Sequence, residues 1–416
     1  MKSFLTGKST ALITGPQRPH NERLTFERSY LRRKKYYETN YRVYLLSMVI
    51  CFLILLRRST VVQNQPTPEI KSFITRHNLI ASQSNRSYNG VQNKSQPAIC
   101  SRQDNVVFIK THKTGGSTVQ SIMYRYGYIR DLSFVIRRTN ENNGHIRFME
   151  VTKDSPKKMF LPLLDTGTCS FRGYNMSAIH VVHDWEIFES FMNPGTKYIT
   201  ILRDPVFQLR SAFMFFRLYI GTIGKTAEDK LLQYTKRNLW KLSNYGKNSQ
   251  SKVLGLKTEY FEDEAKIKLF INQLDIELDL VLIHEYFDES VVLLARELCW
   301  NLEDVVYTIE NNRSNHKPNL DSELLDNIRK FNHADVLLYD HFNQTFWKRI
   351  EQQGPMFWRD LEEFRMLQNK TMYKCFNSST IPEDYVSGHN ISDYCDRYAG
   401  GNFLFKNVFT KQNRPC

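Results

Sequence analysis

A chain of 416 residues with 41% apolar and 13% aromatic side chains can bury one large core with appendages to spare, so disorder is set aside as its general state. Its formal net charge of +14 does not read as a nucleic-acid footprint, because the charge is bunched rather than spread. Residues 1–42 hold ten Lys/Arg against three Asp/Glu, and this densest block abuts an apolar run.

That run, Val43 to Leu56, has fourteen residues without a charge. It is short against the roughly 20 residues of an ordinary membrane span. Polar, basic sequence on both sides argues against a buried core helix, and no small-residue cleavage site follows to mark a removed leader. An uncleaved signal-anchor fits best, with Tyr41 and Tyr44 at the interface and Arg42, Arg57 and Arg58 snorkelling. A short span also suits the thinner early secretory membranes. The positive-inside bias then keeps residues 1–42 in the cytosol. The N-x-[ST] sequons agree, since Asn85, Asn93, Asn175, Asn312, Asn343, Asn369, Asn377 and Asn390 all follow the apolar run. Residues 57–99, rich in Ser, Asn, Gln, Thr and Pro, read as a stem, leaving 100–416 as the folded domain. Cys51 lies in the apolar run. The other six cysteines (Cys100, Cys169, Cys299, Cys375, Cys395, Cys416) allow up to three disulfides in an oxidising lumen, and no C-x-x-C pair points to zinc.

Val106 to Ile109 is an apolar run that predicts a buried strand. The loop Lys110-Thr-His-Lys-Thr-Gly-Gly-Ser-Thr118 follows. Apolar residues at Val119, Ile122, Met123 and Tyr126 then have helical spacing. Strand, glycine loop, helix is a way to present backbone N–H groups and a helix N-terminus to a phosphate. The loop is not a Walker A motif, because Lys113 precedes Gly115 and Gly116 instead of following the last glycine.

Residues 137–177 read as an irregular insertion carrying acceptor-site loops. Ser177 to Asp184 predicts a strand running into a turn; alternation places His180 and His183 on opposite faces, one of them toward a cleft. Tyr198 to Leu202 is a second buried strand. Arg203 and Asp204 stand at its end, Pro205 opens a helix, and Ser211 lies about two turns into it. Guanidinium fork and hydroxyl together suit a phosphate. Asp204 also has the chemistry of a helix cap. Tyr219 to Lys257 reads as a lid, an acceptor-binding helix or a solvated helical face. Leu278 to Ile283 predicts a strand, with His284 and Glu285 at its end as either site residues or a structural pair. Asp288-Glu289-Ser290 is expected to cap a helix from Val291 to Trp300. Asp304 to Tyr307 predicts a buried segment, Asn311 to His316 a polar loop within reach of a nucleotide, and Leu320 to Leu367 helical periodicity. No internal repeat is present.

The pair K-T-H-K-T-G-G-S-T and I-L-R-D-P-V-F-Q-L-R-S resembles the 5′-phosphosulfate and 3′-phosphate loops of Golgi sulfotransferases. With L-D-L-V-L-I-H-E-Y-F-D-E-S and L-C-W-N-L-E-D-V-V-Y downstream, the chain resembles the galactose-3-O-sulfotransferase family from about Cys100 to Arg313. The resemblance implies an α/β fold, a P-loop-like sulfotransferase domain with a central, mostly parallel sheet flanked by helices, preceded by one transmembrane helix. It also implies a type II Golgi membrane protein using 3′-phosphoadenosine-5′-phosphosulfate (PAPS) without a metal, and an acceptor that is a galactose-containing glycolipid or glycan. Assembly with further copies of itself is left open. Residues Lys110, Thr111, Lys113, Thr114, Gly115, Gly116, Ser117 and Thr118 would cradle the 5′ side, and Arg203 and Ser211 the 3′-phosphate. Lys113 would neutralise the leaving group, while His112 or His180 would act as base; His183 is the alternative to His180. Lys113 beside His112 favours a neutral imidazole. Gly116 departs from the family pattern, where a small polar or alanine-like residue would be unremarkable. A glycosaminoglycan acceptor, or a glycan-binding protein without activity, are the other readings.

Overall fold

In a computed structural model, which describes residues 100–137, 152, 160–161, 173–239, 245–308, 320–376, 395, 398, 408 and 410, four strands form one parallel sheet. They are β1 (Val106–Ile109), β4 (Met176–Ser177), β5 (Lys197–Leu202) and β6 (Leu280–Ile283), in the order β4-β1-β5-β6. The runs at 106–109 and 280–283 are buried at every position, as expected of parallel strands covered on both faces. A separate antiparallel pair joins β2 (Ile136–Arg137) to β3 (Phe160–Leu161).

Between strands, the chain forms α1 (Gly116–Ile129), α2 (Trp185–Glu189), α3 (Pro205–Phe215), α4 (Ala227–Lys236), α5 (Ser249–Val253) and α6 (Glu264–Glu277). After β6 come α7 (Phe287–Leu298), α8 (Ser322–Phe331), α9 (His333–Gln352) and α10 (Pro355–Phe376). The predicted apolar stripe of α1 is buried at Val119, Ile122, Met123 and Tyr126. Arg130 forks onto Asp304 at 2.8 and 2.9 Å, fastening the end of α1 to the expected buried segment at Val305 and Val306. A smaller core joins Val206, Leu209 and Phe213 of α3 to Leu231 and Tyr234 of α4 and to Leu324, Ile328 and Phe331 of α8. At about 1.5–3 kcal/mol for each large apolar side chain buried, this cluster holds α4 in place although its other face is polar.

Several expectations are corrected. The strand near Ser177 stops at that residue, and His180 lies beyond its end. The strand before His284 begins at Leu280, two residues late, because Leu278 closes α6. Asp288-Glu289-Ser290 is not a cap: α7 begins at Phe287, and Ser290 lies inside it. The Ser290 hydroxyl accepts from Ile283 N and donates to Ile283 O, both at 2.9 Å, pinning the end of β6 to the helix. Residues 246–251 are neither lid nor solvated face but buried throughout. Among the described residues two disulfides are formed, Cys100–Cys299 and Cys375–Cys395; Cys169 and Cys416 lie outside the described residues. The apolar run 43–56, the stem 57–99, and Asn311 to His316 also lie outside them, and no described helix is long and apolar enough to cross a membrane. Asn175 of the first sequon after the stem is engaged internally, its Nδ2 donating to Asn105 at 2.8 Å.

The buried polar run is held by Asp335 of α9. Its carboxylate accepts from Gln250 N at 3.1 Å, Ser251 N at 2.7 Å and Ser251 Oγ at 2.6 Å. Burial pushes this carboxyl up to about 6, and the same hydrogen bonds pull it back. Substituting Asp335→Asn sets an amide N–H₂ against a backbone N–H in either orientation, that of Gln250 or that of Ser251. We expect a loss of about 1–3 kcal/mol in urea unfolding at neutral pH; an unchanged midpoint would refute the role of this carboxylate.

Candidate active site

All four parallel strands deliver side chains to one edge of the sheet. From their C-terminal ends come the loop Lys110–Gly115 (β1), His180 (β4), Arg203 (β5) and His284 (β6). Because β4 and β5 flank β1 on opposite sides, β1 is the topological switch point, where open α/β sheets bind ligands.

Gly115 has φ 84° and serves as the N-cap of α1. A Cβ there would lie 2.8 Å from His284 Nδ1, so conformation and space both require glycine. At Gly116 a Cβ would meet Lys110 Cγ at 3.0 Å and Thr111 O at 3.3 Å. The glycine therefore permits close approach here, and the alanine-like residue expected from the family pattern would press on Lys110. No side chain caps α1 and no acidic residue lies in its first turn, so its positive dipole end faces the loop without a carboxylate of its own. By contrast, Asp204 caps α3, accepting from Val206 N at 2.8 Å.

Within the loop the predicted residues divide by orientation. Lys110, Thr111 and Thr114 are buried and brace it. Lys110 Nζ donates to Gln120 Oε1 at 2.7 Å, while Thr111 Oγ1 donates to Ile201 O at 2.5 Å and pairs with Thr114 Oγ1 at 2.8 Å. Ser117 is exposed and Thr118 half-buried at the start of α1. Lys113 adopts φ 62°, and its ammonium stands 3.8 Å over the Phe215 ring. Phe215 is 61% exposed, which keeps this cation–π pair at the open side. Ser211 lies one turn before Phe215 on α3, hence on the face that Lys113 approaches.

Arg203 joins the two loops. Its Nη1 donates to Lys113 O at 3.2 Å, while its Nε is buried without a hydrogen-bond partner. His284 Nδ1 is a second buried nitrogen without a partner. Burial, then the Arg203 charge, holds the His284 pKa down to about 4, against a hydrogen bond with the Thr114 backbone. The His284–Glu285 pair thus divides. Glu285 is structural, accepting from Asp204 N and Tyr339 Oη, each at 3.1 Å, whereas His284 faces the loop. An anion at this edge would satisfy the open turn of α1 and the orphaned Arg203 donor. Its strand-end position was the only sequence signal for His284.

The histidines also separate. His183 is buried and pairs with Glu277 at 2.9 Å, so it is a structural residue. His180 is half-buried and stacks on His112 with ring centroids 4.2 Å apart. His180 Nδ1 lies 2.9 Å from Lys110 O, and since a carbonyl only accepts, Nδ1 donates and Nε2 is the basic nitrogen. His112 is buried behind it against Tyr245 and Phe216. Burial first, then Lys110 and Lys113, lowers its pKa to about 4. Among the described residues, no group of three or more His, Cys, Asp or Glu gathers as a metal would need.

Histidine NMR checks the buried imidazole. The His112 signals, assigned by loss in His112→Asn, should hold their neutral shifts from pH 8 to 5 and move only near 4. A midpoint close to 6.5 would contradict the desolvated, cation-flanked environment.

Comparison with known proteins places this geometry. Residues 32–390 match the family described as galactose-3-O-sulfotransferase. Galactosylceramide sulfotransferase of Mus musculus is 29% identical over 287 residues, 67% of this chain and 65% of that protein. Galactose-3-O-sulfotransferase 3 of Homo sapiens is 30% identical over 287 residues, 66% of this chain and 64% of that protein. Galactose-3-O-sulfotransferase 2 of Mus musculus is 29% identical over 308 residues, 71% and 75% of the two chains. The chain thus spans just under two thirds of the length of the first two of these relatives. On the match across most of its length, the chain belongs to the galactose-3-O-sulfotransferase family.

Proposed function

We propose that this protein transfers a sulfuryl group from PAPS to the 3-hydroxyl of a β-galactose on a glycolipid or glycan. The observation that carries the reading is the hydrogen bond from the Arg203 guanidinium to the backbone carbonyl of Lys113, beside the N-terminus of α1 that no side chain caps: it joins the two basic loops at one sheet edge. In this reading the Gly115–Thr118 turn and Lys113 hold the 5′-phosphosulfate, and Arg203 with Ser211 holds the 3′-phosphate. Lys110, Thr111 and Thr114 keep the loop in shape.

Sulfuryl transfer is an in-line displacement governed by positioning and electrostatics. His180 Nε2 takes the proton of the galactose hydroxyl as its oxygen bonds to sulfur. Lys113 and the α1 N-terminus take up the charge that collects on the 5′-phosphate as its S–O bond breaks. His112, neutral and stacked behind His180, keeps a second positive charge away from the base. Support for a lumenal, Golgi-anchored enzyme comes from the apolar run 43–56 and from the disulfides Cys100–Cys299 and Cys375–Cys395, which belong to an oxidising compartment.

The test uses the detergent-solubilised full chain, labelled PAPS, and galactosylceramide, lactosylceramide, N-acetyllactosamine and desulfated glycosaminoglycans as acceptors. Transfer to a galactoside should fall about 100-fold or more in kcat for Lys113→Ala and for His180→Ala. Transfer confined to glycosaminoglycans would replace the acceptor, and PAPS binding without any transfer would leave a binding protein.

A further inference from the structure

The mechanism above gives no role to two fully buried glutamines that touch both loops. Gln250, on α5, makes both of its amide bonds to one residue. Its Oε1 accepts from Arg203 N at 2.9 Å, and its Nε2 donates to Arg203 O at 2.9 Å. This pairing fixes the amide orientation and clamps the backbone of Arg203 from which the guanidinium projects. Gln208, on α3, donates from Nε2 to His112 O at 2.8 Å and to Ser249 Oγ at 2.9 Å. Ser249 is the first residue of α5, so the same short helix reaches the first loop as well. On its far side α5 is held by α9, where Asp335 accepts from Gln250 N and Ser251 and Asn332 Oδ1 accepts from Asn248 N at 2.8 Å. None of these amides is exposed to solvent, so none can touch a ligand; they act through Arg203 and His112.

We propose that Gln250 is a positioning residue for the nucleotide: by clamping Arg203, and with Gln208 holding His112, it makes α5 a common anchor for the two anion-holding loops. The inference rests on the reading that Arg203 binds the 3′-phosphate of PAPS. A buried polar helix bonded directly to Arg203 and, through Gln208, to the His112 carbonyl fixes the separation between the two anion sites, and a nucleotide phosphorylated at both ends requires a fixed separation. Such a role differs from simple core stability. Losing it should act on the donor nucleotide and leave the acceptor site alone.

The experiment compares Gln250→Met, which keeps length and volume without polar atoms, and Gln250→Glu, which turns the Nε2 donor into an acceptor facing Arg203 O, with Arg203→Ala and the Met/Ala double variant. All are assayed as the full chain in detergent. For Gln250→Met the KM for PAPS should rise about tenfold while the KM for the galactoside stays unchanged. Gln250→Glu should be at least as impaired. In the Arg203→Ala background Gln250→Met should add little, because the clamp then has no guanidinium to aim. If Gln250→Met raises both KM values equally, or only lowers the urea midpoint, the clamp is merely structural and the inference fails. If Arg203→Ala itself leaves the KM for PAPS unchanged, the underlying assignment of Arg203 fails instead. Should Gln250→Met not fold, Gln208→Met is read the same way through the first loop, and an unchanged KM for PAPS there refutes the common anchor.

Discussion

The parallel pairing of β1 with β5 is the constraint on which the site depends. It sets Ile109 opposite Thr200, so the chain leaves both strands on the same side, and two loops distant in sequence emerge as neighbours. Side chains reinforce that register. Thr200 Oγ1 donates to Ile109 O at 2.8 Å, and Thr111 Oγ1 donates to Ile201 O at 2.5 Å, each hydroxyl bonding across to the other strand's chain. Only then can Arg203 reach the Lys113 carbonyl. A slip of one residue would turn every side chain to the opposite face and take Arg203 away from that carbonyl.

Basic side chains gather at this edge, with Arg203 and Lys113 on its two loops. The two nearest carboxylates are occupied, Asp204 by the N-terminus of α3 and Glu285 by Asp204 N and Tyr339. The Lys113 ammonium stands over the Phe215 ring. The imidazoles of His112 and His284 are held neutral by desolvation and by nearby cations. An unsatisfied donor such as Arg203 Nε favours an anion at this edge, and His180, less buried than His112, has the assigned tautomer that suits the base proposed above.

The parts legible in the sequence were those whose chemistry is local. An apolar β-branched run followed by Lys, Gly and Ser/Thr announces a strand and an anion loop because burial and backbone freedom act within a few residues. Arg203, Asp204 and Pro205 were read for the same reason, down to the Asp204 cap. Residues 246–251 were not, since Asn248, Ser249, Gln250 and Ser251 look solvated until Asp335, more than eighty residues on, supplies the partner that permits their burial. The Asp288-Glu289-Ser290 cap failed similarly: Ser290 has cap chemistry, but Ile283 claims its hydroxyl from outside the helix. Spacing placed His180 and His183 on different faces, yet only Glu277, from α6, decides that His183 is the structural one.

The central claim is that the two loops form two anion holders at one edge of the sheet. Titration calorimetry of 3′-phosphoadenosine-5′-phosphate against adenosine-5′-phosphate tests it most directly. The account predicts that the bisphosphate binds at least about tenfold more tightly, and that Arg203→Ala erases the difference while leaving the monophosphate affinity nearly unchanged. Equal affinities in the unaltered protein would contradict it.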